Sequence, residues 1–303
     1  MILVAGGQLD PNIGALLRRI VQRNAPFRDI LVGPDLRPRL RIELDGELRL
    51  NDEIIRPTSC FVRHDVFLPQ KTKLQEDQRA ALNWYQAVRG WASSQPDVRL
   101  LNRRGRGADP NKYDNLVRAV RLGLPVPPTV VVTDPRPDPA LPQIRKPVAG
   151  GELTEALDGA GPFPAYPVFV QPKLNRPEMR IYRVADTLFG FALESPDLDY
   201  RQAQRVRLSL CEVPALLSDR LVALCEELGL DFAAADFMRD DEGEWRFLEV
   251  NSQPMFAAFD QVASGRLCDA MVSWLISGTA RAPGPAPTPG DTEASARLAS
   301  PIA

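Results

Sequence analysis

The sequence predicts an α/β protein of more than one lobe, and three observations carry that reading. Its 303 residues exceed what one small core organises. Its opening, "MILVAGG" followed by "NIGALLRRIVQR", is a short apolar run, a glycine turn and an amphipathic helix. Past residue 165, "YPVFVQPKL", "EMRIYRVADTLFGFALES" and "FAAADFMRDDEGEWRFLEVN" read as successive strands, the latter two as hairpins around polar turns.

The remaining elements follow in chain order. Short strands are expected at "DILVG", "RIEL" and "SCFVRHD", then a long helix over about 72–93 and a strand at "VRLLN". Asp109 or Asn111 can cap a helix through Leu122, with Gly123 as its stop. The prolines of "GLPVPPT" force an extended entry into the β-branched strand "TVVV". "DPRPDPALP" is a loop, and "QIRKPVAGG" is a strand running into glycines. In "PALLSDRLVALCEELGL", Leu217, Leu221, Leu224, Cys225 and Leu228 share one helical face. "SGRLCDAMVSWLI" is a closing helix, and residues 282–303, rich in Pro, Ala, Gly, Ser and Thr, are expected to form a disordered tail.

Composition narrows the function. With 37 Lys and Arg against 39 Asp and Glu, a strongly basic nucleic-acid binder is not expected. No apolar run reaches the roughly 18 residues of a membrane span, and the N-terminus reads as a strand, not a signal peptide. Cys60, Cys211, Cys225 and Cys268 form no CxxC pair, so reduced thiols in a cytoplasmic protein are expected in place of structural zinc. His64 is the sole histidine, which argues against Ser-His-Asp or Cys-His chemistry. An enzyme of this composition would use carboxylates, lysines, arginines or a metal.

"RFLEVNSQPMF" holds the strongest chemical signal. Strict alternation puts Glu249 and Asn251 on one face of a strand, with Leu248 and Val250 on the other. Asp236 shares a face with Ala234 and Met238 on the preceding strand, and pairing Asp236 with Phe247 would set Glu249 diagonally beside it. Two carboxylates brought together repel unless one is protonated or a cation intervenes; a hard cation such as Mg2+ takes such oxygens, although a solvated strand rim would show the same spacing. Lys146 ends an apolar strand just before Gly150 and Gly151, a position suited to phosphate. Arg180 and Arg183 fall on opposite faces of "EMRIYRV", one towards the site and the other towards solvent.

Taken in order, these pieces resemble the ATP-grasp ligase superfamily over about residues 100–278. They are Lys112 before a helix, "LGLPVPPT", Lys146 with its glycine loop, "VFVQ", the Arg180 strand, the Asp236 strand and "FLEVNSQP". The nearest relatives in pattern are amino-acid-adding glutamate ligases and the ATP-grasp maturases of ribosomally made peptides; "FVRHDVF" is similar to an aromatic-arginine segment of the latter. The resemblance implies an N-terminal α/β pre-ATP-grasp domain over 1–106 and an ATP-grasp domain over 107–281. The latter would comprise a small lobe at about 107–170 and a C-terminal lobe at about 171–281, with nucleotide held between two antiparallel-sheet lobes.

The resemblance also implies roles. Lys112 and Lys146 would contact ATP, Gly150 and Gly151 would cover its phosphates, and Gln171, Pro172 and Lys173 would flank adenine. Asp236, Glu249 and Asn251 would hold Mg2+, with two ions expected. Arg180 would meet the transferred phosphoryl or acyl phosphate, and Arg201 in "DYR" the substrate or phosphate. Ala185-Asp186 departs from the glycine found in this turn elsewhere in the family. The expected activity is a carboxylate–amine or carboxylate–hydroxyl ligase acting through an acyl phosphate, on a peptide or amino acid, and a homodimer is the expected assembly. The alternatives are a small-molecule kinase on the same architecture and a nucleotide-binding module without turnover.

Overall fold

The computed structural model describes residues 1–67, 75–105, 111–138, 140–149, 154–159, 165–196, 206–278 and 294–295. The first strand, β1 (Ile2–Gly7), leads into α1 (Pro11–Gln22). Asp10 caps that helix by accepting the Asn12 N–H at 2.8 Å, and Pro11 fixes the first turn. Then come β2 (Phe27–Val32), a small antiparallel unit of β3 (Leu40–Ile42), β4 (Leu48–Leu50) and β5 (Glu53–Ile55), and β6 (Ser59–Val62). Helix α2 (Gln75–Ser94) and β7 (Arg99–Leu100) complete a parallel sheet of order β2-β1-β6-β7.

Helix α3 (Lys112–Arg121) is capped by Asn111, which accepts the Asp114 N–H at 3.0 Å. Gly123 ends it at φ +76°, in the left-handed region that glycine enters without a Cβ clash. Strands β8 (Val130–Val132), β9 (Gln143–Pro147), β10 (Glu155–Ala156) and β11 (Val168–Pro172) form an antiparallel sheet of order β10-β9-β11-β8.

The largest sheet runs β16-β15-β12-β13-β14-β17 and is antiparallel throughout. Its strands are β12 (Asn175–Val184), β13 (Thr187–Glu194), β14 (Arg207–Cys211), β15 (Phe232–Arg239), β16 (Trp245–Asn251) and the two-residue β17 (Ala294–Ser295). The β12–β13 turn places Ala185 at φ +50°, the conformation that glycine would have relieved. Helix α4 (Ala215–Glu227) precedes β15, and α5 (Ala257–Val262) and α6 (Arg266–Ser277) follow β16.

This sheet separates two cores. On one face, Tyr182, Val184, Phe232 and Ala234 pack with α1, α5 and α6 and with Ile2 and Val4 of β1. On the other, Met179, Ile181, Ala235, Phe237, Phe247 and Val250 pack with Leu116 and Ala119 of α3 and Leu217, Leu221 and Leu224 of α4. Helix α3, within the stretch read as the small lobe, thus rests on the back of the large sheet. Cys60, Cys225 and Cys268 are buried thiols and Cys211 is half-buried; none is in a disulfide.

Candidate active site

Site residues project from the first of those faces, at the edge of the large sheet. Asp236 on β15 stands directly opposite Glu249 on β16, and Ala234 opposite Asn251. The expected register, with Asp236 opposite Phe247 and Glu249 on the diagonal, is therefore corrected. Leu248 is an extra residue between the pairs Asp236–Glu249 and Phe237–Phe247, a β-bulge. Strict alternation fails there. Phe247 joins Val250 in the back core, Glu249 and Asn251 face forward, and Leu248 is only half-buried. The Phe247 N–H donates to Pro125 O at 2.7 Å, so "GLPVPPT" meets "FLEVNSQP" at the bulge.

Every carboxylate here already has a cationic partner. Arg180, opposite Asp236 on the adjacent strand, binds it in a two-pronged geometry, Nε to Oδ1 at 2.6 Å and Nη2 to Oδ2 at 2.8 Å. The guanidinium lies 5.4 Å from the Phe259 ring centroid on α5. Lys112 Nζ lies 2.9 Å from Glu249 Oε2. Asn251 Nδ2 lies 3.2 Å from Glu249 Oε1 and 3.4 Å from Asp236 Oδ2, which puts all three side chains in one small volume. Burial raises the Asp236 carboxyl, with Arg180 opposing it. Burial also pushes Glu249 upward, but Lys112 and Lys146 overcome this and set it at about 2.

Lys146 on β9 sits opposite Phe169 on β11, with Nζ 5.9 Å from the ring centroid. Burial lowers its pKa; Glu249 is its largest attractive neighbour and Lys112 its repulsive one. Lys146 forms no ion pair among the described residues. Gln171 is buried, gives Nε2–H to Thr129 Oγ1 at 2.8 Å, and leaves Oε1 as a buried acceptor with no donor among them. Pro172 is half-buried; Lys173 is exposed and uses its N–H on Pro142 O at 2.8 Å. Gly150, Gly151 and Arg201 lie outside the described residues, as do Asp109 and, except for 294–295, the tail.

One arginine falls elsewhere than expected. Arg183 does not reach solvent: it is buried on the back face, giving Nε–H to Ala185 O at 2.7 Å and Nη1–H to Val222 O at 3.2 Å. Arg63 of "FVRHDVF", which follows β6, is buried, with Nε 2.6 Å from Asp10 Oδ2. Its Nη1 reaches Gln253 O at 3.1 Å and Pro254 O at 2.9 Å, and the His64 N–H binds Gln253 Oε1 at 2.9 Å. The segment following Asn251 is thus held by residues next to β6. Glu178, which the sequence reading did not single out, is buried on β12 two residues before Arg180. Burial, then Asp236, raises it to about 7 against the pull of Arg180 and Arg176. Only its place two residues before Arg180, on the same strand face, could have flagged it.

The donor set suits Mg2+. Two carboxylates and an amide offer hard oxygens, Glu249 is held ionised, and Mg2+ takes few protein ligands, completing its shell with water and phosphate. Among the described residues no group of three His, Cys, Asp or Glu side chains converges as a metal cage. The lone Gln171 acceptor suits a base amino group, and Lys146 a phosphate.

Comparison with known proteins yields no matching family model and no matching curated protein. Solved structures do match. ATP-grasp ligase PsnB, complexed with a phosphomimetic variant of its minimal precursor, Mg and ADP, is 21% identical, with TM-score 0.71 over 90% of this chain and 98% of that one. A RiPP-associated ATP-grasp ligase of Chryseobacterium gregarium, in complex with ADP and a leader and core peptide, is 18% identical, with TM-score 0.69 over 92% and 97%. Macrocyclase MdnC of Microcystis aeruginosa MRC, bound with precursor peptide MdnA, is 16% identical, with TM-score 0.66 over 91% and 99%. The chain has the ATP-grasp fold. Among the described residues no helix is long and apolar enough to cross a membrane.

Proposed function

We propose that this protein is an ATP-dependent ligase that activates a carboxylate of a peptide or amino acid and joins it to an amine or hydroxyl, releasing ADP and phosphate. The observation that carries this reading is the convergence of Lys112, Lys146, Arg180, Asp236, Glu249 and Asn251 at one sheet edge. The likeness to ligases solved with ADP, Mg and precursor peptides supports it, and a peptide is the substrate class we favour.

A carboxylate is a poor electrophile, so the reaction needs an acyl phosphate, formed by attack on the γ-phosphoryl group of ATP. The protein's task is alignment and charge neutralisation. In this reading Lys112 and Lys146 bind phosphate oxygens, and Gln171 and Pro172 border the base, with Lys173 beside them. Arg180 orients the transferred phosphoryl, and Gly150, Gly151 and Arg201 belong to the phosphate cover and substrate contacts. Asp236, Glu249 and Asn251 would hold Mg2+, one or two ions, which when bound screens phosphate charge. Amide or ester formation then follows from whether an amine or a hydroxyl attacks. We assign the domain limits near 106 and 281, a cytoplasmic setting and a homodimer to the same reading.

The test is incubation with ATP, Mg2+ and synthetic peptides carrying Asp or Glu together with Lys, Ser or Thr. ADP release coupled to loss of one water from the peptide mass is expected. Glu249→Ala should reduce ADP release by at least about 100-fold, a cost typical of losing a group that positions transferred charge, with unchanged circular dichroism. An unchanged rate in that variant would reject the metal assignment.

A further inference from the structure

Lys112 occupies a position that a phosphate contact alone does not require. Its ammonium is 2.9 Å from Glu249 Oε2, and the two side chains are 25% and 26% exposed, so water reaches the pair. Glu249 Oε1 is taken by Asn251 and both Asp236 oxygens by Arg180. The two ion pairs are not equivalent. Arg180 and Asp236 face each other on neighbouring buried strands, and a carboxylate gripped in this way keeps lone pairs for another ligand. Lys112 instead comes from the first residue of α3, whose backbone is anchored by Leu116 and Ala119 in the back core. Only its flexible stem must move for its head to leave Glu249.

A bare divalent cation arriving at Glu249 meets this ammonium as competitor and as a like charge, with Lys146 adding to the repulsion. A cation arriving on a nucleotide brings phosphate oxygens that take the ammonium over. We propose that Lys112 makes the site selective for the metal–nucleotide complex over the free divalent cation. This rests on the nucleotide and metal reading above and deepens it: the lysine that binds phosphate also blocks the metal ligand until phosphate is present. Coupling of this kind is reciprocal, so metal and nucleotide each raise the other's affinity by one factor.

Mn2+ binding followed by electron paramagnetic resonance, with and without the non-hydrolysable nucleotide AMPPNP, tests this in the full chain. Wild type should bind Mn2+ weakly alone and much more tightly with AMPPNP. Lys112→Met should bind bare Mn2+ about tenfold tighter than wild type, as expected for removing a unit charge a few ångströms away, while binding AMPPNP more weakly. Lys112→Gln provides the same neutral test should the methionine variant fold poorly, and Lys112→Arg should keep the wild-type pattern. A merely structural lysine would lower both affinities together. Neutral variants that bind bare Mn2+ no tighter than wild type would overturn the proposal. Wild type that binds neither Mn2+ nor AMPPNP would instead overturn the functional reading on which it rests.

Discussion

Glu178 has an environment that its strand position does not suggest. It is 7% exposed, shares the site with Asp236, and titrates near 7 because burial and a neighbouring carboxylate both disfavour its charge. A carboxyl whose folded pKa lies above its unfolded value keeps its proton longer in the native state. Native stability therefore declines as pH rises from about 4.5 to about 7, and the loss is complete above that. Glu178→Gln should remove this decline. Its Tm relative to wild type should climb by about 5 °C between pH 4 and pH 8, measured by thermal unfolding without metal or nucleotide. A constant offset across that range would contradict the assignment. Asp236, Glu249 and Asn251 were legible because an acid or amide inside an apolar run is conspicuous. Glu178 and Arg183 were not, because their burial depends on which helices cover each face.

The bulge in β16 decides at the level of the element which side chains serve the core and which the site. Without it, Phe247 would share a face with Glu249, and either the ring would leave the core or the carboxylate would enter it. With it, Phe247 is fully buried, 5.6 Å from Phe237 between ring centroids, and Leu248 stays half-buried outside both cores. Phe247→Ala should cost about 3–5 kcal/mol, and Leu248→Ala under about 1.5 kcal/mol, read from urea unfolding midpoints. Strict alternation predicts the reverse order. The hairpin β4–β5, strand β14 and helix α5 escaped the sequence reading because three to six residues leave too little periodicity to register.

Across the whole molecule, β1, α1 and β6 share an apolar core with the large sheet, and polar groups add specific ties along that seam. Arg63 and Asp10 are nearly inaccessible, and Arg63 carries the backbone of residues 253–254. Asn12 Oδ1 accepts the Phe256 N–H at 2.6 Å, and Asn102 gives Nδ2–H to Phe232 O at 2.7 Å and Ser252 O at 3.0 Å. Gln253 Nε2 also reaches Tyr85 Oη of α2 at 2.8 Å. Arg63→Ala leaves a buried carboxylate unpaired and should destabilise the chain by about 3–5 kcal/mol. The same variant should weaken Mn2+–AMPPNP binding, since it frees the segment next to Asn251. Equilibrium unfolding and nucleotide titration check both effects, and a stable variant with wild-type binding would dismiss the Arg63 clamp.

By itself the sequence determined the order of the longer elements, the two hairpins, the closing helix and the polar side chains that interrupt the apolar strands. Those features are written in local periodicity, caps and turn residues. Only the tertiary structure decided the Asp236–Glu249 register, the burial of Arg183 and Glu178, and the partnering of Asp236 with Arg180 and of Glu249 with Lys112. Each of these depends on groups brought together from distant parts of the chain, and no local pattern encodes which charges will share a volume once water is excluded from it.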